Sequence, residues 1–168
     1  MKVRKLMLLG EIGVGKSSLA RRLVLDRFDG EYLPTIGVDV YPYRIPEDVV
    51  PEPISLAVWD TDGNFGQAIF EHVYIKQASA ALIVGDVMRP ATLETMPRLA
   101  AGFLAALPGR YVAYVVNKLD LLPPGDVPEL PGALTEDGPP LVRTSALTGD
   151  NVRQLFHDAA RTILRRGL

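Results

Sequence analysis

The chain contains no cysteine. That excludes disulfides, thiolate metal sites, a cysteine nucleophile, and prenyl or palmitoyl attachment. Charge of one sign is also missing. Eighteen Lys and Arg against twenty Asp and Glu leave a net charge of −2, so no strong positive field exists to hold nucleic acid or an anionic membrane. No apolar run approaches the ~18 residues of a membrane helix. The N-terminal apolar run is only Leu6 to Leu9, with Glu11 close behind, too short for a signal peptide. Lys2 stands where myristoylation needs glycine. A soluble cytoplasmic protein is expected. Lysine is scarce, five against thirteen arginines, while Ala, Gly and Pro are plentiful. That bias suggests a GC-rich, prokaryotic source.

What remains is the composition of a folded chain. Its 168 residues are 48% hydrophobic and 23% charged, which suits one domain, 1–168, with one sizeable core. Proline is the unusual residue. Five of the fourteen lie from Pro34 to Pro53 and six from Pro123 to Pro140. Proline lacks an N–H and fixes φ, so both windows are expected to be poor in regular structure. The functional alternative for Leu121 to Pro140 is a partner-specific surface; replacement of a helix by loop is the simpler one.

Short apolar runs alternate with helical patterns, which points to an α/β fold with a largely parallel sheet. Strands are predicted at Leu6–Leu9, Val38–Ile45, Ile54–Asp60, Ala80–Asp86, Tyr111–Asn117 and Leu141–Thr144. Helices are predicted at Lys16–Arg27, more weakly at Phe65–Gln77, and at Leu93–Leu107, where Pro97 must sit in the first turn or kink the helix. The last helix is clearest: Val152, Leu155, Phe156, Ala159, Ala160, Ile163 and Leu164 share one face. Asp150 or Asn151 can cap its start, and Arg161, Arg165 and Arg166 complement its C-terminal dipole. His72 and His157 lie in no ligand-like cluster and are expected at the solvated surface.

Gly10-Glu11-Ile12-Gly13-Val14-Gly15-Lys16-Ser17 fits GxxxxGK[ST] between a predicted strand and a predicted helix. Consecutive backbone N–H groups and a helix N-terminus suit phosphate. The candidate contacts are Gly13, Val14, Gly15, Lys16, Ser17 and Ser18, with Lys16 offsetting β/γ-phosphate charge and the Ser17 hydroxyl placed for Mg²⁺. Trp59-Asp60-Thr61-Asp62-Gly63 is a DxxG at a strand end. There Asp60 can hold Mg²⁺ through water, and the Gly63 N–H can meet a γ-phosphate. Asn117-Lys118-Leu119-Asp120 is an NKxD after a buried strand. A carboxylate there accepts both N1–H and the N2 amino group of guanine, a donor pair adenine lacks. Ser145-Ala146 follows the last short strand and can offer an N–H to guanine O6. Each string is short, but together, in order and at successive strand ends, they mark one ligand edge.

With these motifs the chain resembles the Ras superfamily of small GTPases over nearly its whole length, and Thr35-Ile36-Gly37-Val38-Asp39, Trp59-Asp60 and Tyr74 look most like the Rab branch. The resemblance implies a P-loop G domain: a six-stranded, mostly parallel sheet flanked by about five helices. It implies GTP and GDP binding with Mg²⁺, hydrolysis of GTP, and effector, exchange and activating proteins as partners. Phe28-to-Asp39 would be the first switch, with Phe28 against guanine and Thr35 completing the metal shell of Ser17 and Asp60. Lys16, Thr35, Gly63 and Asn64 would serve catalysis. Phosphate, metal and guanine contacts would come from Gly13 to Ser18, Phe28, Thr35, Gly63, Asn117, Lys118, Asp120, Ser145, Ala146 and Leu147. Trp59 and Tyr74 would join an effector-binding aromatic cluster in which Val40 replaces phenylalanine; plain strand burial is the other reading of Trp59.

The departures from the family pattern matter as much. Ile12 stands where Ras has glycine, and Asn64 where the family has its water-orienting glutamine. Slow intrinsic hydrolysis follows. Asp62 replaces the alanine of DTAG and either points to solvent or substitutes in orienting water. Leu147 replaces the lysine of SAK, so less packing over guanine is expected. A monomer without a direct lipid anchor is expected. Competing readings are a permanently GTP-bound interaction module, the G domain of a larger protein, and a P-loop kinase. The last fails on its lid: Leu121 to Pro140 has no arginine or lysine.

Overall fold

Along the first strand, successive side chains feed opposite cores. In the computed structural model, which describes residues 1–28, 37–61, 63 and 73–168, β1 (Lys2–Leu9) sends Leu6 and Leu8 to one face and Met7 and Leu9 to the other. All four are at most 2% exposed. A strand apolar on both sides must lie inside a sheet covered on both faces. β2 (Val38–Arg44), β3 (Ile54–Thr61), β4 (Ala78–Asp86), β5 (Tyr111–Asn117) and β6 (Leu141–Arg143) complete a six-stranded sheet in the order β2-β3-β1-β4-β5-β6. Every pairing is parallel except β2 with β3.

Five α-helices are described. On one face, α1 (Lys16–Leu25) and α5 (Val152–Arg166) bury Leu19, Leu23, Phe156 and Ile163 against Leu6, Val58 and Leu82. On the other, α2 (Pro90–Glu94) and α3 (Met96–Ala106) bury Leu93, Met96 and Phe103 against Met7, Ile83 and Val116, joined by Leu134 of the single-turn α4 (Gly132–Thr135). The six-stranded, mostly parallel sheet and about five helices are as expected.

Several local expectations change. β1 starts at Lys2 and β4 at Ala78, because sheet pairing continues beyond the apolar runs that signalled them. The predicted helix Leu93–Leu107 is two helices that meet at Thr95. Pro97 sits in the first turn of α3, where its missing N–H costs nothing, whereas continuing one helix would set its ring against the Leu93 carbonyl. Of the predicted helix Phe65–Gln77, residues 65–72 lie outside the described residues. Val73–Ile75 is a 3₁₀ turn and Gln77 has φ 63, so no helix reaches Gln77. Asn151 does precede α5, but in a left-handed conformation, and its Nδ2 donates to the Arg143 carbonyl at 2.8 Å instead of capping the helix.

The proline windows divide. Pro42 lies within β2, which is an edge strand where a missing N–H is tolerated. Residues 118–140 hold only the 3₁₀ turn Leu119–Leu121 and α4. His157 is not a solvated surface residue. It is partly buried under β2, with Nε2 3.1 Å from the Tyr43 hydroxyl and the two rings stacked. His72 lies outside the described residues.

Candidate functional site

The C-terminal ends of β1, β3, β4 and β5 deliver Gly10, Asp60, Asp86 and Asn117 to one edge of the sheet. The loop between β1 and α1 is held there through its own carbonyls. Lys16 Nζ donates to the Gly10 and Glu11 oxygens, each at 2.8 Å. Lys118 Nζ donates to Gly13 O at 2.7 Å, and Asn117 Nδ2 to Val14 O at 3.1 Å. In a planar trans peptide the following N–H points opposite to the carbonyl. Each carbonyl held by a side chain therefore also fixes the direction of the amide that follows it. The first-turn amides of α1, Lys16 to Ser18, add donors that no helical carbonyl uses.

Two glycines are required by this packing. Gly15 has φ 104, and a Cβ there would stand 2.2 Å from Asn117 Nδ2. A Cβ on Gly63 would stand 2.3 Å from the Ile12 nitrogen, so the DxxG loop touches the phosphate loop backbone to backbone.

Beside this loop the Ser17 hydroxyl donates to Asp60 Oδ2. Asp60 is fully buried at the end of β3, and the neighbouring Thr61 hydroxyl is fixed on the Leu8 carbonyl at 2.7 Å. A hydroxyl and a carboxylate side by side are hard oxygen donors, a set that fits Mg²⁺. Thr35, Asp62 and Asn64 lie outside the described residues.

The NKxD segment continues the same frame. Asn117 is 1% exposed, and its Oδ1 accepts from Thr144 Oγ1 at 3.0 Å and from Ala146 N at 3.2 Å. Lys118 takes a left-handed backbone, φ 67, unusual outside glycine, and pairs with the buried Asp86 at 2.9 Å. Asp120 Oδ1 accepts from Ser145 Oγ at 2.6 Å. The Ser145 and Ala146 N–H groups, read from the sequence as guanine donors, donate to Asp150 O and Asn117 Oδ1. Leu147 and Phe28 are 47% and 39% exposed.

Arg22, Arg89, Asp86 and Thr144 also belong to this site, and sequence reasoning missed them. Arg22 Nε donates to Ala146 O at 2.8 Å and Nη2 to Leu147 O; Arg89 Nη1 donates to Ile12 O at 2.8 Å. Asp86 carried a signal, a carboxylate closing an apolar run. The two arginines carried none.

Outside the phosphate edge, Trp59 is partly buried against the second core. Lys5 Nζ sits 3.6 Å over its ring and donates to the Tyr74 and Lys76 carbonyls. Burial lowers the Lys5 pKa. Val40 lies opposite Trp59 in the sheet, and Val40 and Tyr74 are exposed.

A family model described as "Ras family" matches residues 5–165. The chain belongs to the Ras family. It is 33% identical over 164 residues to Ras-related protein RABF2b of Arabidopsis thaliana, covering 96% of this chain and 81% of that one. It is also 33% identical to GTP-binding protein ypt5 of Schizosaccharomyces pombe (95% and 77% covered) and 32% identical to Ras-related protein Rab-4B of Homo sapiens (96% and 76%). This Ras-family protein is therefore a Rab-like small GTPase, of a family that binds GTP, GDP and Mg²⁺. These relatives are eukaryotic and lend the prokaryotic reading of its composition no support.

Proposed function

We propose that this Ras-family protein is a GTP/GDP switch that hydrolyses GTP slowly in the presence of Mg²⁺. The observation that supports this most is the Asn117 side chain, which holds Val14 of the phosphate loop and Ala146 of the guanine loop at once. Base and phosphate recognition are thereby built into one frame.

In this reading the amides of Gly13 to Ser18 and the Lys16 ammonium hold the phosphates and stabilise charge as the γ-phosphoryl group is transferred to water. Ser17 and Asp60 hold Mg²⁺, directly and through water, and Thr35 joins them. Bound Mg²⁺ neutralises charge on the β- and γ-phosphate oxygens. Asp120 accepts the guanine N1–H and N2–H donors, while Ser145 holds that carboxylate in place. Thr35 and Gly63 respond to the γ-phosphate, so the two switch loops differ between GTP and GDP, and effector, exchange and activating proteins read them. Val40, Trp59 and Tyr74 form the surface that effectors meet. Ile12 crowds the γ-phosphate, and Asn64 reaches water less well than glutamine. The protein works as a cytoplasmic monomer with one domain over 1–168; a prokaryotic source rests on composition alone.

A permanently GTP-bound interaction module is the second reading. It is favoured by the backbone contact between Gly63 and Ile12, whose side chain stands 42% exposed at that junction. Chromatography of nucleotide released from the purified protein, with a hydrolysis time course in Mg²⁺, separates the two. Conversion of bound GTP to GDP supports the switch. Persistent GTP supports the module, and no guanine nucleotide at all sinks both.

A further inference from the structure

Five successive carbonyls, Gly10 to Val14, accept hydrogen bonds from side chains. The motifs supply the donors for four: Lys16, Lys118 and Asn117. The fifth, Ile12, is held from elsewhere, by Arg89 Nη1 at 2.8 Å. We propose that Arg89 is a positioning residue for GTP hydrolysis, acting through the Ile12–Gly13 peptide; this rests on the GTPase reading above.

The arm that carries the guanidinium is anchored in the same frame. Arg89 N donates to Asp86 O at 3.0 Å, and Arg89 O accepts from Thr92 N and Thr92 Oγ1. Asp86 in turn pairs with Lys118, which holds the next loop carbonyl, Gly13. Arg89 and Lys118 thus grip adjacent peptides from one base. A cation on the Ile12 oxygen fixes the Ile12–Gly13 peptide plane. It also polarises that plane, making the Gly13 N–H on its opposite side a stronger and better-aimed donor. On the GTPase reading that amide is one of the loop's phosphate donors. Gly13 itself has φ 76, a residue with no side chain to hold its own peptide. Position 12 is also where this chain carries isoleucine, so the guanidinium steadies the loop at its bulkiest side chain.

Arg89 is exposed and makes no side-chain cap to α2, so its replacement leaves the helix start intact. The test uses Arg89→Ala and Arg89→Lys, with thermal melting to confirm folding. Single-turnover hydrolysis of preloaded GTP and the ³¹P spectrum of bound GDP are then measured. Arg89→Ala hydrolyses about tenfold more slowly, the worth of one charge-assisted hydrogen bond. Arg89→Lys, a single-pronged donor, recovers part of the rate. The GDP phosphate resonances move in both variants. An unchanged rate or unmoved resonances in Arg89→Ala overturns the proposal, as does absence of hydrolysis in the unsubstituted protein. Failure of the unsubstituted protein to bind GDP would sink the GTPase reading itself.

Discussion

Asn117 Nδ2 donates to the Val14 carbonyl at 3.1 Å across 103 residues of chain, while its Oδ1 accepts from Thr144 and Ala146. One buried amide thus satisfies three partners on two loops. Asn117→Ala strands all of them, and unsatisfied buried polar groups cost about 1–3 kcal/mol each. Expected is a loss of roughly 3 kcal/mol in urea unfolding, with guanine-nucleotide affinity falling alongside. A variant with unchanged unfolding and unchanged GDP binding would show that this amide holds neither loop.

Arg22 does for the guanine loop what Asn117 does for both. Its Nε and Nη2 take the Ala146 and Leu147 carbonyls, and its side chain is only 16% exposed. Asp26 adds a long ion pair of 3.8 Å, with a carboxylate 68% exposed, that contributes little. Arg22→Ala frees the loop, and release of fluorescent GDP is expected to quicken about tenfold. Arg22→Lys restores only part, since an ammonium cannot reproduce the two-pronged contact. Equal release rates in stopped flow would count against the clamp.

The contrast between Asn117 and Arg22 shows what the sequence made legible. Asn117 sits in a contiguous string after a buried strand, and Lys16, Asp60 and Asp120 were equally readable, because each motif must be local to its loop. The alternation of strands and helices was legible in the same runs, whereas the order of the strands in the sheet was not. Arg22, Arg89 and the His157–Tyr43 pair arise from contacts between segments 77 to 125 residues apart. No periodicity or spacing encodes those. The break at Thr95 was half legible: Pro97 announced it, but only packing of α2 and α3 on β4 decides between a kink and two helices.

The His157–Tyr43 contact carries a pH dependence. Burial first, then the Arg161 charge, holds the His157 pKa below its ordinary value; Arg153 acts in the same direction, and Asp48 and Asp158 oppose them. A folded pKa below the unfolded one means the unfolded chain takes up the proton first. Stability contributed here is complete above about pH 6.5 and is lost as pH falls through that value toward the folded pKa. The Tyr43 hydroxyl, its own pKa raised by burial, stays protonated throughout. Melting temperature is expected to fall more steeply between pH 7 and 5.5 in the unsubstituted protein than in His157→Gln. Parallel curves would place the histidine outside the linkage.

Ile12 and Asn64 bear on turnover from two sides. The Ile12 nitrogen meets Gly63 backbone to backbone, and on the proposed switch reading the side chain at position 12 crowds the γ-phosphate. On that reading, branched carbons there resist the approach of water and of any arginine supplied by an activating partner. At position 64 the asparagine amide is one methylene short of the glutamine that orients water in the family. Unaided hydrolysis by Ras is on the order of 10⁻⁴ s⁻¹, and this chain is expected at or below that rate. Ile12→Gly with Asn64→Gln is expected to raise single-turnover hydrolysis about tenfold, one power of ten for about 1.4 kcal/mol of barrier. Ile12→Gly alone is expected to give most of the gain with an activating partner, and Asn64→Gln alone most of the gain without one. If neither single nor double substitution changes the rate in either setting, crowding at position 12 and reach at position 64 are not what limits this active site.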